Sequence, residues 1–289
     1  KKIKTFFHII KAYYHAIFVL DGKNFSYLCN IFARAKRKYG LLYQSKKKFF
    51  FDFKSYKPSK LYAFLFFNKT ELFTSRKYLV TSENLCQKYL NLFNELNLDL
   101  TIQDKYIFQS PEKIKSEFNT LASKLDLKNY IIIHLDEKWQ DIKDIKTGLS
   151  TSLTNFQKKI NKKIIITAFN NDFDYFKNIK IDFPYYNCVN SDFKNVKISN
   201  ITILDNINIF MFERFLKFSD LNISCHSGFV AQVSGANGSK LLDIINEADH
   251  EWYSCWKPMN TSHNFTFKSL KSGLNKKSNE IFNEIISFL

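Results

Sequence analysis

The sequence has no C-x-x-C pair. Its five cysteines, Cys29, Cys86, Cys188, Cys225 and Cys255, are widely spaced and odd in number, which argues against a disulfide framework or a zinc site and fits a reducing cytoplasm. No uninterrupted apolar run approaches the ~20 residues that cross a bilayer. The longest candidates are broken by Lys, Asp or Asn, so membrane contact is expected only at the periphery. There is no Ser-His-Asp order, no G-x-S-x-G elbow and no P-loop. Asp136 and Glu137 are paired, but no second acidic pair stands at a comparable strand end, so a two-carboxylate glycosidase is unsupported. A dense Arg tract is also missing, and nucleic acid is not an expected partner. Glycine (7) and proline (4) are scarce.

Aromatics are abundant, with 31 Phe and 15 Tyr, and Lys, Asn and Ile are plentiful, a skew typical of AT-rich coding. Hydrophobic residues make up 45% and charged residues 24%, a globular rather than a disordered composition. The net charge of +16 is compatible with nucleic acid, an anionic membrane surface or a phosphorylated substrate. At 289 residues the chain has room for two α/β lobes. It opens on Lys1 and a helix-like segment, Thr5 to Tyr14, without a cleavable signal pattern, and is read as a truncated start.

Along the chain, the apolar run His15 to Leu20 ends in Asp21-Gly22-Lys23-Asn24 and leads into a helix-like stretch through Arg34. Strand, polar turn and helix are predicted. Lys46 to Phe53 is Lys- and Phe-rich without a period, a surface loop or a patch near an acceptor. Ser82 to Leu96 has the spacing of one helical face with Ser82 as its cap, and Ser110-Pro111-Glu112 starts another helix running to about Leu125. From there the pattern is regular. Strands are predicted at Tyr130 to His134, Lys163 to Ala168, Leu221 to Cys225 and Lys240 to Ile245, and helices at Leu149 to Ile160, Ile209 to Phe218 and Gly228 to Ala236. This alternation predicts a parallel sheet covered on both faces. Trp252, Tyr253 and Trp256 read as a packing cluster between lobes, and a last helix runs from about Asn275 to Phe288.

Open parallel sheets bind ligands at the carboxyl ends of their strands. Four such turns carry polar residues: Asp21 to Asn24, His134 to Lys143, Asn170 to Asp174, and His226-Ser227-Gly228. The last is the sharpest. Ser227 and the amides of Gly228 and Phe229 would open a helix, where the dipole and N–H groups favour phosphate. The bland alternative is a simple cap and a tight turn. Lys138 or Lys143 could neutralise the same group as a point charge, or belong to a solvated loop. His134 could equally be a core histidine with a satisfied ring.

The order of these segments resembles glycosyltransferase family 9, the heptosyltransferases. In the run Ile201 to Ile245, Ser227 and Gly228 match the family's Asp-Ser/Thr-Gly at a strand end, while His226 stands in place of its Asp and Ala231 in place of its His. In Tyr130 to Trp139, His134 and Trp139 match, Leu135 and Asp136 replace Pro and Gly, and either Lys138 or Lys143 takes the place of a phosphate-binding Lys. Ala16 to Gly40 resembles the first-lobe segment with its Asp-Gly turn.

The resemblance implies the GT-B fold, an α/β architecture of two Rossmann-like lobes with parallel sheets facing a cleft. The expected division is an acceptor-side lobe over residues 1–127, incomplete at its start, a nucleotide-sugar lobe over 128–274, and a C-terminal helix over 275–289 packing back toward the first lobe. It implies inverting, metal-independent transfer of a sugar from a nucleotide diphosphate, a co-substrate rather than a cofactor, to a lipid-linked or surface-glycan acceptor of the lipopolysaccharide type. The donor-side residues would be His134, Lys138, Lys143, Glu213, His226, Ser227, Gly228 and Phe229, and the acceptor-side residues Asp21, Lys23 and Asn24. The family's Asp base would lie upstream of Lys1, which would leave this fragment inactive. The expected place of work is the cytoplasm, at the inner face of the cytoplasmic membrane. The other reading is a non-catalytic GT-B-like protein that binds a glycan or a partner through an eroded donor site.

Overall fold

The computed structural model describes residues 2–21, 23–44, 60–74, 85–100, 110–124, 126–169, 172–189, 197, 199–258 and 261–289. The chain divides into two compact units, Lys1–Asp104 with Glu251–Trp256, and Lys105–His250 with Lys257–Leu289.

The first unit runs α1 (Lys2–Lys11), β1 (Tyr13–Val19), α2 (Asn24–Phe32), β2 (Arg34–Gln44), α3 (Lys60–Phe66), β3 (Lys69–Thr74) and α4 (Leu85–Asn94). Its sheet is parallel in the order β1-β2-β3. The opening helix stops before Tyr13 and Tyr14, which pair with Arg34 and Ala35 in the sheet instead. The helix expected to run through Arg34 ends at Phe32, and Arg34 begins the central strand. The basic start of β2 hides its strand character. Lys38 is held there by its Nζ on Asn30 O at 2.6 Å and its N–H on Asn68 Oδ1 at 2.7 Å, while Tyr39, Leu41 and Leu42 are buried. Gly40 is required, since a Cβ would sit 2.4 Å from the Phe67 ring. The Lys46 to Phe53 patch and the Ser82 cap lie outside the described residues.

The chain returns to this unit late. Cys255 packs with Tyr39, Leu41, Leu85 and Leu92, Trp252 and Trp256 lie against them, and Leu85 N–H donates to Cys255 O at 2.9 Å. The two tryptophans thus belong to the core of the first unit.

The second unit contains α5 (Glu112–Lys124), β4 (Tyr130–His134), a 3-10 turn at Glu137–Asp141, α6 (Ile145–Ile160), β5 (Lys163–Ala168), α7 (Asp174–Asp182), β6 (Tyr185–Asn187), β7 (Ile201–Asp205), α8 (Ile209–Phe218), β8 (Leu221–Ser224), α9 (Gly228–Asn237) and β9 (Leu241–Asn246). After α10 (His250–Ser254), whose residues from Glu251 belong to the first unit, come β10 (His263–Ser269) and α11 (Ser278–Ile286). Seven strands form one wholly parallel sheet, ordered β10-β9-β8-β4-β5-β7-β6.

All five residues of β4 are buried, as a strand covered on both faces requires. Ile131 and Ile133 face a core with Trp139, Leu149, Phe156 and Phe282, and Tyr130 and Ile132 face Phe118, Met211, Phe212 and Phe215 on the other side. Each buried isoleucine contributes about 1.5 to 3 kcal/mol, so these uninterrupted runs fix the sheet. Two boundaries differ from expectation. Helix α5, assigned by sequence to the first lobe, belongs to the second unit because Phe118 and Leu121 are buried in its core. Helix α11, expected to pack toward the first lobe, instead inserts Ile281, Phe282 and Ile285 into the second unit beside Leu149 and Phe156 of α6.

Candidate functional site

Strand β4 has β5 on one side and β8 on the other, so the chain changes direction across the sheet between β4 and β8. Their carboxyl ends form the topological switch point, the place where open α/β sheets accept ligands. Register brings Thr167, His134, Ser224 and Asp243 into one row over β5, β4, β8 and β9.

His134 closes β4 at 7% exposure. Its Nδ1 meets Thr167 Oγ1 at 3.1 Å and its ring lies against Phe212 and Phe169, with centroids 5.3 and 5.7 Å away. Burial pushes the imidazole down to about 4, against an opposing contact from Thr167 and with the Lys138 charge adding to the shift. It is therefore neutral near pH 7. Its carbonyl accepts from Trp139 Nε1 at 2.9 Å, and Trp139 is itself fully buried. This indole anchors the loop that follows β4.

The loop turns at Asp136, whose Oδ1 accepts from Lys138 N at 3.1 Å. From there Lys138 reaches across the switch point, and its Nζ donates to His226 O at 2.9 Å. Buried Lys268 of β10 holds the same turn through Lys138 O and through Asp141 Oδ2 at 2.8 Å. Lys143 is exposed, with its N–H on Lys276 O at 3.1 Å. Of the two lysines, Lys138 is the one whose ammonium group is recorded at the turn after β8.

That turn is built around a kink. His226 adopts φ 57°, a left-handed conformation costing a side-chain-bearing residue roughly 1 to 2 kcal/mol. Its Nδ1 lies 2.8 Å from Asp243 Oδ2, and His263 Nε2 reaches the same oxygen at 3.0 Å. Ser224 Oγ donates to Asp243 Oδ1 at 2.9 Å and accepts from Ser227 N at 3.0 Å. Burial raises the Asp243 carboxyl, but the hydrogen bonds from the two histidines outweigh it, and the group sits below the usual carboxylate value.

Helix α9 starts directly after this kink. Ser227 is its N-cap residue and makes no side-chain cap bond. The first intrahelical bond runs from Ala231 N–H to Ser227 O, which leaves the amides of Gly228 and Val230 outside the helical ladder. A Cβ at Gly228 would meet nothing within 4 Å. The open approach, the helix dipole and the Lys138 ammonium together suit an anion.

Other expected site residues lie elsewhere. Glu213 is buried and committed: its Oε2 accepts from Ser110 Oγ at 2.6 Å and its Oε1 from Asn237 Nδ2 at 3.4 Å, at the opposite end of α9 from Ser227. It serves the packing of α5, α8 and α9. Asp21 caps its own turn in the first unit, accepting from Lys23 N at 3.2 Å and Ser26 Oγ at 2.9 Å. Lys23 is exposed, and the Asn24 side chain lies outside what is described. In the turn after β5, residues 170 and 171 are likewise undescribed, and Asp174 pairs with Lys146 at 2.9 Å.

The sequence reading missed Asp243, His263, Ser224 and Lys268. Asp243 was detectable, as a lone acid within the apolar strand Leu-Leu-Asp-Ile-Ile. Among the described residues no group of three or more His, Cys, Asp or Glu is arranged to hold a metal ion, and no helix is long and apolar enough to cross a membrane.

No protein-family model matches the sequence, and no curated protein matches it. Solved structures do match. A glycosyl transferase of family 9 from Veillonella parvula superposes with a TM-score of 0.59 at 11% identity, over 99% of this chain and 77% of that one. The ADP-heptose lipopolysaccharide heptosyltransferase II of E. coli gives 0.53 at 10% identity, over 99% of this chain and 80% of that one. The likeness is one of fold, α/β with parallel sheets in the GT-B manner.

Proposed function

We propose that the protein is a glycosyltransferase that moves a sugar, heptose or another hexose-like unit, from a nucleotide-diphosphate donor to a lipopolysaccharide or surface-glycan acceptor, by inverting and metal-independent transfer. The observation that carries this reading is the α9 N-terminus, without a side-chain cap, at the switch point beneath Lys138. In such a transfer the bond between the sugar carbon and the phosphate oxygen breaks, and its electron pair leaves with the nucleoside diphosphate. The acceptor oxygen bonds to the opposite face of that carbon, and its proton passes to a general base. Negative charge grows on the departing diphosphate. A fixed helix terminus and a lysine stabilise such charge without reorganising.

Ser227, Gly228 and Phe229 would hold the diphosphate, Lys138 would neutralise it, and neutral His134 would help wall the site. The basic excess of the chain suits work on a membrane-borne acceptor at the inner face of the cytoplasmic membrane, where anionic lipids attract it. Isothermal titration with ADP-, GDP- and UDP-sugars tests the reading. Micromolar binding of one of them, weakened in Lys138→Ala, is expected; no heat with any of the three would sink it.

A second reading, a non-catalytic GT-B-like glycan- or partner-binding protein, draws on Ala231. This buried methyl stands where the resemblance places a donor-contacting His. Donor binding without release of nucleoside diphosphate in the presence of acceptor glycans would favour it.

A further inference from the structure

A surface helix normally turns its apolar stripe to the core, and α1 does not. Ile3, Phe7 and Ile10 recur at the spacing of one helical face, yet no residue of α1 is buried, and Ile3 and Phe7 are 73% and 52% exposed. The same helix carries exposed Lys2, Lys4 and Lys11. The ring of Phe6 meets those of Phe7 and of Phe32 on α2, with centroids 5.8 and 5.7 Å away. The apolar surface therefore continues onto α2, where Leu28 and Phe32 stand exposed one turn apart. The inward side of α2 is fixed by other residues, buried Tyr27 and Asn30, which donate to Leu41 O and Phe66 O. Helix α3 is tied to α2 by the Tyr62 hydroxyl on Tyr27 O at 2.6 Å, and it leaves Leu61, Phe64 and Leu65 exposed.

The charge of this face is of one sign. Helices α1, α2 and α3 contain no acidic residue, and exposed Arg34 and Lys36 follow Phe32 at the start of β2. The acid of the turn before α2, Asp21, is taken up by Lys23 N–H and the Ser26 hydroxyl. Grouped apolar side chains with cations beside them are complemented by hydrocarbon under a layer of anions. A second copy of the chain would instead set cation against cation. We propose that α1, with the outward sides of α2 and α3, docks on an anionic lipid bilayer, its apolar side chains entering between the headgroups and its lysines pairing with lipid phosphates. This deepens the reading above, resting on its membrane-borne acceptor and assigning to one face a contact that there follows from net charge alone.

The test is flotation of the full chain with vesicles of phosphatidylcholine and phosphatidylglycerol in equal parts, against vesicles of phosphatidylcholine alone. Binding to the mixed vesicles only is expected. Ile3→Ser with Phe7→Ser should weaken it about tenfold or more by removing apolar surface, with the urea unfolding midpoint unchanged because neither side chain is buried. Lys4→Gln with Lys11→Gln should weaken it roughly twentyfold, two lysines near an anionic surface, and decides the matter should the serine pair disturb the fold. No flotation with the mixed vesicles overturns the proposal. So does flotation that neither pair alters, which would assign the attraction to charge spread elsewhere, and so does a dimer that the serine pair dissolves in a chain that binds no vesicle. Titration of the same samples with nucleotide sugars is a separate readout: donor binding without flotation sinks the docking face alone, and flotation without donor binding sinks the donor site alone.

Discussion

Two strand ends, one in each unit, start from the same local plan and finish differently. After β1 the chain turns through Asp21 into α2, and after β8 it turns through His226 and Ser227 into α9. In the first case the turn acid folds back on Lys23 N–H and the Ser26 hydroxyl, so the helix entrance carries its own negative charge. In the second the acid is withdrawn into the sheet at Asp243, where two histidines and a serine consume it, and Ser227 makes no cap bond. A helix terminus attracts an anion only while no carboxylate already occupies it. Neither N-cap residue, Lys23 or Ser227, makes a side-chain cap bond, so what separates the two ends is where the nearby acid sits.

The largest effect should come from deleting the withdrawn acid. Asp243→Ala takes the shared acceptor from two histidines and a serine, and is expected to cost about 2 to 4 kcal/mol in urea unfolding, the range for leaving buried hydrogen-bond donors unsatisfied. A near-neutral result would mean that the two ends are equivalent after all.

Next is the pH response of the second end. His134 is held at about 4, below its ordinary 6.5, mainly by burial, so the unfolded chain binds the extra proton across that window. Stability should therefore fall as pH drops from about 6.5 to 4, by at most about 3 kcal/mol. His134→Gln should flatten that part of the profile, and an unchanged slope would locate the titration elsewhere.

The smallest effect sharpens the contrast most. Ser227→Asp gives the second end the acid that the first already has. It should raise stability by about 0.5 kcal/mol through the helix terminus while removing most pyrophosphate binding. Asp21→Ala, which removes hydrogen bonds of the turn, should cost about 0.5 to 1.5 kcal/mol in unfolding and leave pyrophosphate binding unchanged. Parallel movement of stability and binding in Ser227→Asp would argue against an anion site.

Four of the seven strands of the second sheet were legible because burial on both faces demands uninterrupted apolar strands, although β7, also buried throughout, was not among them. Tyr130–His134, Lys163–Ala168 and Ile209–Phe218 match their expected limits. Strand β2 was hidden because its exposed half is basic and its backbone partners lie far along the chain. Strand β10 sits at the sheet edge, alternates buried with half-buried residues, and lacks an apolar run. In the site, the turn residues could be picked out from their place after a strand. His263 could not, and Asp243 stood out only as a lone acid in an apolar strand, since their partnership comes from register across β8, β9 and β10, which only the folded sheet supplies. Glu213 was misjudged for the same reason: an acid on a helix reads as available until its partners Ser110 and Asn237 are seen.

The late return of Trp252, Cys255 and Trp256 to the first unit has a consequence for biosynthesis. Proteins usually fold from the amino terminus as domains emerge from the ribosome, but this amino-terminal sheet must wait with Leu85 and Leu92 uncovered until six strands of the other sheet have been translated. A nascent chain halted at residue 104 should bind chaperones and resist refolding, and one halted a few dozen residues past Trp256, beyond the exit tunnel, should not.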